Sequence, residues 1–123
     1  MNNSKTVYLV DYENVHEDGL AGAKKLTDND IVCIFTGQKT AASPITIKSL
    51  SLLNHVELHC FIVQQRKQSV DMCISSYLGH LITKYEGDKV NYVIVSMDKD
   101  YESVIRFWSK LTSNPVVRRG TIA

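Results

Sequence analysis

Four aspartates, Asp11, Asp71, Asp98 and Asp100, stand at or just past the ends of apolar segments. Asp11 closes the run VYLVD, Asp71 follows the polar residues 64 to 69, and Asp98 and Asp100 follow NYVIVSM. Carboxylates packed together repel one another, so they stay ionised at neutral pH only when a cation or hydrogen-bond donors share the site. Oxygen-only ligation suits Mg²⁺ or Mn²⁺, hard ions held by a few carboxylates, waters and substrate phosphate. Such an ion lowers the pKa of water and stabilises charge growing on phosphorus, so metal-dependent phosphodiester hydrolysis is the chemistry that fits four convergent acids. Each acid taken singly has a plainer reading. Asp71, Asp98 and Asp100 all stand near helix starts, where capping and the helix dipole favour carboxylates.

Convergence requires a fold that brings together residues 60 to 90 positions apart. Four short segments read as buried strands: TVYLV (6–10), DIVCIFT (30–36), VELHCFIV (56–63) and NYVIVS (91–96). They are apolar on consecutive positions, as strands of a parallel sheet covered on both faces are. Helical spacing follows in 43–54, with Ser43 as cap and Pro44 at the first helical position, then Ile45, Ile47, Leu50 and Leu53. It recurs in 68–85, with Val70, Ile74, Tyr77, Leu78 and Leu81, and in 98–111, with Tyr101, Val104, Ile105, Trp108 and Leu111. A weaker helix is expected over 19–26, and Val116 and Val117 suggest a short fifth strand. Alternating strands and helices with no repeat or linker predict one three-layer α/β domain over residues 1–123. In such a sheet ligands bind beyond the C-terminal strand ends, where all four acids fall.

Composition narrows the partners little. The 123 residues carry 14 Lys plus Arg against 13 Asp plus Glu, so net charge argues neither for nor against nucleic acid. Any phosphate contact must be local, and Lys39, Arg66 and Lys67 at the strand ends are candidates, though a solvated loop also accounts for them. Asn14 and Ser96 could support a ligand or belong to caps and turns. Cys33, Cys60 and Cys73 lack metal-ligand spacing and read as reduced core residues of a cytoplasmic protein. His16, His55, His59 and His80 share no ligand spacing either, and there is no signal-peptide pattern, membrane span, Ser-His-Asp relay or Gly-rich phosphate loop.

Three segments in order, LVDYENV (9–15), KQSVDMCISSYL (67–78) and VSMDKDYESVI (95–105), resemble the acidic motifs of NYN domains in the PIN-like nuclease superfamily. That pattern has Asp then Asn after the first strand, Lys then Asp at a helix start, and Ser-x-Asp-x-Asp followed by an aromatic residue. Here Tyr12 and Glu13 stand between Asp and Asn, Met97 and Lys99 flank the paired acids, and Tyr101 replaces the common Phe. The resemblance implies a Rossmann-like α/β/α fold with strand order 3-2-1-4-5 and Mg²⁺- or Mn²⁺-dependent endoribonuclease activity. Carried onto matching positions, it would make Asp11, Asp71, Asp98 and Asp100 the metal ligands; of these we expect Asp11 and Asp98 to bind the principal ion, with Asp71 and Asp100 completing the shell or orienting the attacking water. Asn14 and Ser96 would support the site, Lys39, Arg66, Lys67 and Lys99 would contact the RNA backbone, and Glu13 and Glu102 are candidates for a further acid. The alternative is a catalytically degenerate PIN-like module that binds RNA or a protein partner. A receiver-type signalling domain ranks lower, because Gln64 and Gln65 occupy the third strand's tip where its phospho-accepting Asp would stand. No membrane partner is expected; a domain this small leaves room for a second copy or a protein partner.

Overall fold

Five short apolar runs pair side by side, all parallel, in the order β3-β2-β1-β4-β5. In the computed structural model, which describes residues 4–37, 45–63 and 69–123, these strands are β1 (Lys5–Asp11), β2 (Asp30–Gly37), β3 (Glu57–Val63), β4 (Val90–Val95) and β5 (Val116–Arg119). The helices are α1 (Tyr12–Val15), α2 (Ile47–Ser51), α3 (Ser69–Lys84) and α4 (Tyr101–Ser109). The three-layer architecture and strand order expected above are thus borne out. From β1 the chain builds outward through β2 to β3, then returns to lay β4 on the other side of β1. Val10 pairs with Ile34 on one side and Val95 on the other. The order reverses between β1 and β4, and a crevice opens at their C-terminal ends, as at any such reversal.

Strand periodicity decides which face each residue serves. Val7 and Leu9 of β1, Ile31, Cys33 and Phe35 of β2, and Tyr92 and Ile94 of β4 bury against Ile74, Leu78, Leu81 and Ile82 of α3 and Tyr101 of α4. Tyr8, Val10, Val32, Ile34, Val93 and Val95 form the opposite core with Tyr12, Val15, Leu20, Ala23 and Leu53. Continuing the period by one step, Asp11 and Ser96 fall on the α3 and α4 side. The helices on that side lie close together because Gly79 has no side chain: a Cβ there would meet Trp108 Cη2 at 2.5 Å. Gly79→Ala is expected to destabilise the fold by about 1–3 kcal/mol through this overlap, read as a lower urea midpoint.

Several expectations need correction. The strand β3 is not buried on both faces: it has a neighbour on one side only, and Cys60 and Ile62 are exposed, Ile62 by 72%. Cys73 is also exposed, on the outer side of α3, so of the three free cysteines only Cys33 is a core residue. The helix over 43–54 contracts to the five residues of α2, capped by Thr46, whose hydroxyl accepts the Ser49 N–H at 3.0 Å. Ser43 and Pro44 lie outside the described residues. Its inward residue is Ser49, while Ile47 is 86% exposed and Leu50 is also outside. The Ser49 hydroxyl partners the buried Tyr12 hydroxyl at 3.0 Å. An unmade buried hydrogen bond costs about 1–3 kcal/mol, as much as burying an isoleucine gains, so the polar pair can win the inner position. Residues 19–26 form no α-helix; 3₁₀ turns span His16–Leu20 and Ala23–Lys25 instead. Leu111 falls beyond the end of α4 and is exposed. Among the described residues no helix is long and apolar enough to cross a membrane.

Candidate active site

At the end of β1 the chain turns straight into the single turn of α1, leaving the Asp11 side chain 4% exposed on the α3 and α4 side. Its Oδ2 accepts hydrogen bonds from two hydroxyls, Ser96 Oγ at 3.2 Å and Tyr101 Oη at 3.2 Å. Ser96 stands one residue past β4 and is fully buried. Tyr101 opens α4, with a ring only 1% exposed. The Tyr101 hydroxyl also contacts Asp71 Oδ1 at 2.9 Å. Asp71, in the first turn of α3, thereby comes within one hydroxyl of Asp11, although 60 residues separate them in sequence.

The electrostatics follow from this closeness. Burial, followed by the charge of Asp71, pushes the Asp11 carboxyl from 3.8 up to about 6, with the two hydroxyls pulling the other way. The Tyr101 phenol is raised far above its ordinary value, first by burial and then by the two carboxylates it faces, so it remains a hydroxyl. The Asp11 carboxylate is therefore nearly dry and faces a second, half-buried acid, so the pair gains from any cation that enters.

The loop after β4 is pinned from several directions. Ser96 Oγ accepts the Asp98 N–H at 3.0 Å while donating to Asp11, so one hydroxyl couples the two acidic segments. Asn14 Oδ1 accepts the Met97 N–H at 2.8 Å, tying α1 to the same loop. Arg118 of β5 donates from Nη1 to the Ser96 carbonyl at 3.1 Å and from Nε to Glu102 at 2.8 Å. Half-buried Asp98 uses Oδ1 to accept the Asp100 N–H at 2.9 Å. Asp100 itself is exposed, and its carbonyl accepts the Ser103 hydroxyl.

The structure thus brings together Asp11, Asp71 and Ser96, with Asp98 adjoining and Asp100 farther out along the turn. Of the two further acids considered, Glu13 turns toward β2, where it accepts from the Thr36 hydroxyl at 2.9 Å and the Gly37 N–H at 3.0 Å. Glu102 is engaged by Arg118. Lys99 is exposed and forms no ion pair among the described residues, so it does not neutralise a site carboxylate there. Lys39, Arg66 and Lys67 lie outside the described residues. Reasoning from acids alone overlooked the Tyr101 hydroxyl and the Arg118 brace. The one signal was Tyr in place of the common Phe.

Residues 5–114 match the PIN domain family. The chain is a PIN domain. Neither a curated protein nor a solved structure matches it. PIN domains are generally metal-dependent nucleases, and the matched span of this one contains Asp11, Asp71, Asp98 and Asp100.

Whether this PIN domain's residues suit a divalent ion can be judged from the donors. Among the described residues no three His, Cys, Asp or Glu side chains gather as a ligand cluster. What the site has is a pair of carboxylates, Asp11 and Asp71, one of them buried, joined through a hydroxyl, and among the described residues neither forms an ion pair. Mg²⁺ is commonly held by only one or two carboxylates, with waters and substrate phosphates filling the other positions. The pair fits that requirement, and its oxygen-only chemistry disfavours soft ions.

Proposed function

We propose that this PIN domain is an endoribonuclease of the NYN type, hydrolysing RNA phosphodiester bonds in the cytoplasm with Mg²⁺ or Mn²⁺ held by Asp11 and Asp71. The observation that carries the reading is the contact of both carboxylates with one hydroxyl at the sheet's reversal point. Bound there, the ion would supply Lewis acidity toward the phosphodiester and lower the pKa of a water, so that hydroxide is available as the nucleophile near neutral pH. The protein's own groups do the rest. Ser96 and Tyr101 hold Asp11 by Oδ2 and exclude bulk water from it. Asp98 and Asp100, on the loop beside that pair, complete the ion's surroundings or orient the attacking water. Asn14 keeps this loop against α1. Lys39, Arg66, Lys67 and Lys99 carry the charge that positions the RNA backbone.

A second reading has one observation in its favour: among the described residues the acids form a pair rather than a cluster of three. That favours a PIN domain that binds RNA or a protein partner without cutting. Incubation of end-labelled single-stranded RNA with Mg²⁺ or Mn²⁺ separates the two. Under the nuclease reading, products form with metal, vanish with EDTA, and are absent for Asp98→Asn. Intact RNA under all conditions, with no metal-induced rise in melting temperature, would leave the binding module standing.

A further inference from the structure

A Phe at position 101 would pack as well as Tyr, yet this chain carries a hydroxyl there and aims it between two carboxylates. We propose that Tyr101 is a positioning residue that sets the divalent-ion affinity of the site, its hydroxyl holding Asp11 and Asp71 at a fixed separation and orientation. The inference rests on the metal-dependent reading above and adds to it a residue that is not one of the acids.

Three features carry it. The ring is 1% exposed and packed in the core between the sheet and α3, so the hydroxyl cannot swing away. A donor already immobilised by packing orders its acceptors at little further entropic cost. Second, the hydroxyl has a single proton: the 2.9 Å contact makes Asp71 its main acceptor, and the longer contact to Asp11 is supplemented by the Ser96 hydroxyl. Third, the donated bonds are distributed in a consistent way. Both hydroxyls that reach Asp11 contact Oδ2, and Tyr101 contacts Oδ1 of Asp71, so neither hydroxyl engages the second oxygen of either carboxylate, and the Asn14 backbone N–H is the further donor that orients Asp11. Hydrogen-bonded partners of metal-binding carboxylates fix their orientation, and removing them typically weakens metal affinity by about 10- to 100-fold. Without the hydroxyl, two like charges, one of them buried, repel with no donor between them and move apart.

The test is Mn²⁺ binding to wild type and Tyr101→Phe, followed by the electron paramagnetic resonance of free Mn²⁺ and by calorimetry, without RNA. The expected result is a folded variant that binds Mn²⁺ about 10- to 100-fold more weakly. Equal or tighter binding by the folded variant overturns the inference while leaving the metal-dependent reading intact. Absence of Mn²⁺ binding by wild type overturns both. Should the variant fail to fold, wild type labelled with ¹³C at tyrosine Cζ decides. The Tyr101 resonance should move on Mg²⁺ addition and saturate with occupancy; a resonance that stays still while Mg²⁺ binds overturns the inference.

Discussion

Under the proposed nuclease function, Asp11→Asn should abolish RNA cleavage and yet give a protein that, in metal-free buffer above pH 7, unfolds at a higher urea concentration than wild type. The loss of cleavage follows because a neutral amide cannot replace the carboxylate in binding a hard cation. The gain in stability follows from the position of the acid. Its carboxyl is raised from 3.8 to about 6 by burial and by Asp71. A folded-state value above the unfolded one means that folding favours the protonated form. The group's contribution is therefore complete below its ordinary value and is lost as pH rises through about 6. Roughly two pH units at about 1.4 kcal/mol each make the ionised Asp11 a cost of about 2 to 3 kcal/mol at neutral pH. Asn avoids that cost, and its carbonyl can still accept from Ser96 and Tyr101. Urea midpoints across pH 4 to 8 check the claim. Wild type should lose stability relative to the variant as pH rises, and Mn²⁺ should close the gap. A variant less stable than wild type at pH 8 without metal would refute this view of the site.

The second large effect is expected at a residue that carries no charge. Ser96→Ala should reduce cleavage by about 10- to 100-fold, as removal of supports behind metal ligands does, and destabilise the fold by about 1–3 kcal/mol. Ser96 is fully buried, donates to Asp11 and accepts the Asp98 N–H, so alanine removes a donor from one acid and strands the amide that sets the other. The Arg118 contact to the Ser96 carbonyl is made by the backbone and survives. If cleavage falls only as far as the folded fraction does, the hydroxyl is structural alone. Single-turnover rates at saturating Mn²⁺, compared with unfolding curves, distinguish the two.

The fold was legible because short runs of consecutive apolar residues, separated by helical spacing, suit a parallel sheet covered on both faces and little else. The PIN-like resemblance was read from three acidic motifs in order along those runs, and the strand order came only as what that resemblance implies. Legibility failed where a residue's face depends on neighbours distant in sequence. Ser49 turns inward because Tyr12 needs a partner, which no local pattern around Ile47 and Leu50 reveals. Cys60 and Ile62 are exposed because β3 is an edge, a fact about sheet order rather than about VELHCFIV. At the site, Asp11 was conspicuous as a charge ending an apolar strand, and Ser96 was named as a support, as its bond to Asp11 bears out. The Tyr101 hydroxyl was not foreseen, because the sequence does not show where a hydroxyl 90 residues away is aimed.

The bonds that organise the centre join positions 85 and 90 residues apart, the last of them made by the first residue of α4. A chain still emerging from the ribosome has Asp11 in hand early but lacks its two hydroxyl supports until nearly the whole matched span has been synthesised. Under the nuclease reading, the centre stays inert until residues 96 and 101 have been made and have folded back onto Asp11.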